Sequence, residues 1–83
     1  GLFNHVFPEE TFRDDAFTYA CEIANGPSAT LSRMKTNLNQ GIGQGLRASL
    51  LLEAQHLIES AGSAEAKEAI SAFMEKRAPK FHL

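Results

Sequence analysis

Apolar positions recur at helical spacing along most of this chain. Phe12, Ala16, Tyr19, Ala20 and Ile23 follow one another at steps of four, three, one and three, the rhythm of one helix face. Pro8-Glu9-Glu10 stands ahead of them. Proline suits the first helical position, and acids are favourable at the positive end of the helix dipole. Asn25-Gly26-Pro27 closes this first helix, predicted over about 9–25, with glycine expected in a left-handed cap. Ser28 is the expected cap of a second helix, about 28–40, whose stripe is Leu31, Met34, Leu38 and Ile42. Gly41, Gly43 and Gly45 break the chain after it. The third helix, about 44–60, carries the strongest period, with Leu46, Leu50, Ala54, Leu57, Ile58 and Ala61. Leu51 and Leu52 widen its apolar surface beyond one stripe, so either this helix is central in the chain or a partner domain or subunit covers its second side.

A fourth helix is predicted over about 63–77. Ser63 caps it, Glu65 and Glu68 occupy its early turns, and Ala66, Ala69, Ile70, Phe73 and Met74 share a face. Lys76, Arg77 and Lys80 gather at its end, where Pro79 stops it. At the other terminus, Leu2 to Phe7 is rich in β-favouring residues and bounded by Pro8, which reads as a short strand without a second strand to pair with. The predicted fold class is mostly α: a strand-like lead followed by about four helices, in one region spanning 1–83.

Composition narrows the function. A chain of 83 residues allows one domain, and one of that size buries only roughly 60 to 65% of its extended-chain surface. The mixed charge, net -2, argues against a nucleic-acid partner. The longest apolar run, Leu50 to Leu52, is far too short for a membrane span. Cys21, the single cysteine, cannot close an intramolecular disulfide and fits a reducing, intracellular setting. The first residues do not read as a signal peptide, and the missing initial methionine is expected of a piece of a longer protein.

The candidate chemistry is sparse. His5, His56 and His82 have no ligand partners at metal spacing, so no metal site is expected. The Gly41 to Gly45 segment lacks phosphate-loop spacing and follows a helix instead of a strand. No serine lies in a nucleophile elbow, and Cys21 has no histidine at helical spacing. The cluster of Lys76, Arg77, Lys80 and His82 has two readings: cations complementing a helix C-terminus, or a phosphate contact through Lys76, three residues after Phe73. By spacing alone the first is the simpler.

Gly1-Leu2-Phe3-Asn4-His5-Val6-Phe7-Pro8 resembles the GLV(N)xVxP segment of the crotonase superfamily, the enoyl-CoA hydratases and isomerases. In order along the chain, Ile23 to Pro27 resembles that family's helix-ending turn, Met34 to Leu38 its lysine-bearing helix, and Leu52-Glu53-Ala54 its long helix with an internal glutamate. The end resembles the S-x-D-x-x-EG-x-x-AF-x-EKR-x-P-x-F signature through Ser63, Glu65, Glu68-Ala69, Ala72-Phe73, Glu75-Lys76-Arg77, Pro79 and Phe81. Glu65 replaces the usual aspartate, and Ala69 the usual glycine.

The resemblance implies the C-terminal helical part of a crotonase ββα-superhelix fold. It implies a parent enzyme acting on acyl-CoA or enoyl-CoA thioesters by hydration or double-bond isomerisation in fatty-acid metabolism. CoA would be part of the substrate, with no permanent cofactor. The acid/base carboxylates and oxyanion hole would lie upstream, so no catalytic residue is expected here and the chain alone is expected to be inactive. Lys76 would reach the adenosine-phosphate end of CoA, Phe73 would flank the adenine, and Leu57 would line the acyl pocket. A homotrimer or dimer of trimers would be the assembly, with no nucleic acid and no membrane involved. The setting would be the cytoplasm, or the mitochondrion or peroxisome in a eukaryote. The rival expectation is a non-enzymatic helical interaction module, or a crotonase-like domain without its chemistry.

Overall fold

A computed structural model describes residues 1–82. Four helices follow one another: α1 (Phe12–Ala24), α2 (Ser28–Gly41), α3 (Leu46–Ala61) and α4 (Ala64–Met74). Residues 1–11 form no strand. The strand-like lead has no neighbouring strand to bond, and two of its rings, His5 and Phe7, pack on α1 instead, while Leu2, Phe3 and Val6 are exposed. The His5 ring meets Tyr19 edge-on with centroids 4.5 Å apart, and Phe7 lies 6.3 Å from Tyr19 and 6.5 Å from Phe12.

Helix α1 starts three residues later than its proline and acids predict. Thr11 and Phe12 donate their N–H groups to the carbonyls of Pro8 and Glu9, closing a turn ahead of the helix. The Thr11 hydroxyl donates to Asp15 Oδ2 at 2.6 Å. Asn25 caps the far end, its N–H bonding the Cys21 carbonyl at 2.9 Å. Gly26 is not left-handed, contrary to expectation. The position is tight instead: a Cβ would lie 3.1 Å from the Ile23 carbonyl oxygen and 3.3 Å from Leu31 Cδ1, so a side chain there would press both neighbours aside.

Helices α2 and α3 form an antiparallel pair joined by the glycine-rich turn at 42–45. As numbers rise along α2, its partners fall along α3. Arg33 meets Glu59 at 3.4 Å and Ser60 at 3.3 Å, while Asn37 Oδ1 meets His56 Nδ1 at 2.6 Å. The seam is mostly polar: Thr30, Arg33, Thr36 and Asn37 of α2, and Ser49, Leu52, His56 and Ser60 of α3, are the half-buried positions. The expected apolar stripes point elsewhere. Leu38, Leu46, Leu57 and Ile58 are exposed, as are Ile70 and Met74 on α4. Both apolar sides of α3 are therefore open within this chain, which rules out the arrangement in which the other helices surround it.

Ser63 caps α4 as its sequence predicts. Its Oγ accepts the Ala66 N–H at 3.1 Å and donates to the Ser60 carbonyl at 2.7 Å. Among the described residues, Ala72 is the one fully buried apolar side chain. The accessible surface is 7176 Å², about one and a half times the roughly 4,900 Å² of a compact protein of this mass. The radius of gyration, 16.3 Å, likewise exceeds the about 12 Å of a compact domain of this length. The slab, 46 × 38 × 19 Å, is a layer of helices whose apolar faces are left largely exposed. No described helix is long and apolar enough to cross a membrane.

Candidate functional site

The fourth helix is expected to run to Arg77 but ends at Met74. Its exit is a complete Schellman turn. The Lys76 N–H donates to the Phe73 carbonyl at 3.2 Å, and the Arg77 N–H donates to the Ala72 carbonyl at 3.0 Å. This pattern requires a left-handed residue at the first position past the cap, where glycine is usual. Lys76 occupies it, with φ of 55°, the one positive-φ residue among those described. A non-glycine residue in that conformation costs about 1–2 kcal/mol, so the surrounding contacts must hold it there.

Those contacts come from Glu68. Arg77 donates Nη1 to Glu68 Oε1 at 2.6 Å and Nη2 to Oε2 at 3.1 Å, a two-pronged pair. The Lys80 N–H donates to the same Oε1 at 2.7 Å, and Arg77 Nε donates to Glu75 Oε2 at 2.7 Å. One carboxylate thus collects the chain on the far side of the turn. Exposed single pairs contribute little, but a two-pronged arginine in a network is the exception. The Arg77 guanidinium, and after it the Lys80 N–H, pull the Glu68 carboxyl down to about 2. The Arg77 guanidinium is held charged by Glu68 first and Glu75 second.

The basic cluster read from the sequence therefore separates. Arg77 is committed to Glu68 and Glu75, and the His82 ring bonds the Gly26 carbonyl at 2.9 Å. Lys76 and Lys80 make no side-chain ion pair or hydrogen bond among the described residues. Helix α4 has no basic residue in its last turn, so the cations stand beyond the turn where a helix dipole is strongest. Lys76 is exposed one residue past the cap, and Phe73 presents a ring that is 82% exposed one turn earlier.

Leu57 lies elsewhere, on α3. It lines a cleft with Met34, Asn37, Glu53 and His56, and a second with Thr30, Ala66, Ala69 and Phe81. Neither cleft includes Phe73 or Lys76, so this chain brings only those two of the expected residues together. No group of three or more metal-ligating side chains occurs among the described residues.

Sequence reasoning missed the role of two glutamates. Beside Glu68, Glu65 reaches from α4 to the start of α2. Its carboxylate accepts the N–H groups of Ala29 at 2.8 Å and Thr30 at 3.0 Å, and the Thr30 hydroxyl at 2.8 Å. Pro27, the residue at the cap position of α2, has no side chain able to do this, and Ser28, the expected cap, is already inside the helix. The Ala29 N–H is the largest influence lowering the Glu65 pKa, with Thr30 adding to it. Glu65, Glu68 and Arg77 were visible as parts of the terminal signature, but a contact across nine or thirty-six positions leaves no periodic signal.

The geometry is that of a helical layer made to be covered, with a fixed basic turn at one end. The family model for enoyl-CoA hydratase/isomerase matches residues 1–83. This chain belongs to that family, the crotonase superfamily. It is 36% identical over 81 residues to a probable enoyl-CoA hydratase of Rhodobacter capsulatus, covering 98% of this chain and 32% of that protein. It is 33% identical to the 2,3-dehydroadipyl-CoA hydratase of Escherichia coli, with 98% and 32% covered. The 1,2-epoxyphenylacetyl-CoA isomerase of the same organism is 32% identical, with 98% and 31% covered. In three dimensions the chain matches the crystal structure of an enoyl-CoA hydratase from Geobacillus kaustophilus with a TM-score of 0.82 at 33% identity, covering 98% of this chain and 31% of that one. The chain spans about a third of the length of these relatives.

Proposed function

We propose that this chain is the C-terminal helical part of an enzyme acting on CoA thioesters, by hydration or double-bond isomerisation of an enoyl-CoA. CoA is part of the substrate, with no permanent cofactor. The contribution of these residues is to bind and to cover. Lys76 supplies a point charge for the phosphates at the adenosine end of CoA, Phe73 offers its exposed ring to the adenine, and Leu57 lines the acyl pocket. The carboxylates and backbone N–H donors that would move protons and stabilise an enolate lie outside this chain. The isolated chain is therefore inactive.

The observation that carries this reading is Lys76: a lysine fixed in a glycine's conformation, with a free ammonium, beside an exposed aromatic ring. The names of the relatives, hydratases and an isomerase of CoA esters, support the substrate class. The open faces of α1, α3 and α4 fit contacts with the preceding part of the fold and with neighbouring subunits of a trimer or dimer of trimers. The test is Lys76→Ala in the full-length protein. Affinity for a CoA thioester falls, and the loss shrinks as salt rises, because exposed charge contacts are screened. Unchanged affinity at low salt overturns the role of Lys76.

A further inference from the structure

We infer that Glu68 and Arg77 are positioning residues for nucleotide binding: their ion pair holds the turn that fixes the direction in which Lys76 delivers its ammonium. The inference rests on the reading of Lys76 as the phosphate contact.

Lys76 sits between two anchors. On the helix side, its own N–H and that of Arg77 are tied to the Phe73 and Ala72 carbonyls. On the tail side, the next residue, Arg77, is clamped to both oxygens of Glu68, and the Lys80 N–H shares one of them. A lysine released from either anchor has no intrinsic reason to stay left-handed, because its Cβ disfavours that state. Relaxing φ swings the Cα–Cβ bond, and with it the origin of a four-carbon stem. The stem remains mobile, so the clamp does not aim the ammonium alone; it sets the region the ammonium samples. Glu68 suits this task because two oxygens receive three donors, which no amide could match. A glutamine would keep one oxygen and turn an N–H pair toward the arginine fork.

Neither clamp residue is set up to meet the ligand itself. The Glu68 carboxylate would repel a phosphate, and the Arg77 guanidinium is already paired with two carboxylates, spending four of its five N–H groups on Glu68, Glu75 and the Ala78 carbonyl. An effect on CoA that passes through Lys76 is separable from a direct contact, because it vanishes when Lys76 is removed.

The experiment is a double-mutant cycle in the full-length protein, with free CoA as the probe and Kd read by titration calorimetry. Glu68→Gln alone raises Kd by about three- to tenfold, toward the lower end of the coupling seen between residues in one network. In a Lys76→Ala background the same change has no further effect. Turnover of an enoyl-CoA follows with a raised KM and little change in kcat. Arg77→Lys, which keeps the charge but loses the two-pronged fork, is the second variant should Glu68→Gln fold poorly, and it shows the same pattern. A loss of affinity that is equal with and without Lys76 overturns the proposal and marks the clamp as merely structural. A normal Kd for Glu68→Gln and Arg77→Lys while Lys76→Ala weakens binding also overturns it, and leaves the role of Lys76 standing. A normal Kd for Lys76→Ala overturns both.

Discussion

Glu68 and Arg77 are nine positions apart in the sequence and meet face to face, with both carboxylate oxygens accepting from the guanidinium at 2.6 and 3.1 Å. The contact exists only because the chain reverses at Lys76. It predicts an acid sensitivity with a definite sign. The Glu68 carboxyl is lowered from 4.5 to about 2 in the fold. The stabilisation is fully present above the unfolded value. As pH falls, the unfolded chain takes up its proton first, and the contribution shrinks until the folded carboxyl is protonated as well. Thermal unfolding of the full-length protein should therefore lose more stability between about pH 5 and pH 3 than that of Glu68→Gln, in line with this linkage. Parallel pH profiles for the two proteins would contradict it.

Lys76→Gly separates strain from charge. Glycine adopts φ of 55° without the Cβ clash. The variant should be more stable than Lys76→Ala by about 1 kcal/mol, since alanine retains the left-handed penalty. Both variants lose the ammonium and both should bind a CoA thioester more weakly. A denaturant midpoint no higher for glycine than for alanine would show that the turn is not held left-handed in solution.

Glu65 predicts a local effect at a distance. Replacing it with alanine removes the acceptor for the first free N–H groups of α2, whose own cap position is Pro27. Amide exchange at Ala29 and Thr30 should accelerate and the melting temperature should fall. Glu65→Gln, which keeps one oxygen, should be milder. Exchange that is unchanged at Ala29 in the alanine variant would remove the cap role.

These contacts mark where the sequence stops being informative. The four helices were legible because apolar spacing and stop signals are local. Ser63 as a cap was legible for the same reason. The left-handed residue was not, since Gly26 carries the usual signal and Lys76 carries none, yet the turn is at Lys76. The start of α1 shifted from about residue 9 to Phe12 because Pro8 and Glu9 spend their carbonyls on a turn. The stripes of α2 and α3 are periodic as expected, yet they do not make the seam between these helices, which is built from Arg33, Asn37, His56 and Ser60. Periodicity reports that a face will be buried, not what buries it.

That distinction gives the last prediction. The chain exposes Leu2, Val6, Ile42 and Phe73 at 94%, 87%, 89% and 82% of their full areas, and among the described residues the one buried apolar side chain is an alanine. Hydrophobic burial is the main favourable term in folding, at roughly 25 cal/mol per Å², and ordering each residue opposes it by about 1–2 kcal/mol of backbone entropy. A layer with so little apolar contact cannot offset that ordering alone, even with Ser63 capping α4 and Glu65 bonding the start of α2. The isolated 83 residues should show helical circular dichroism, no sharp melting transition, binding of a hydrophobic dye and a tendency to associate. The same helices within the full-length protein should melt cooperatively with the rest. A monomeric isolated chain with a single sharp transition would mean that the polar α2–α3 seam and the two glutamate contacts suffice, and that the exposed faces are not waiting for cover.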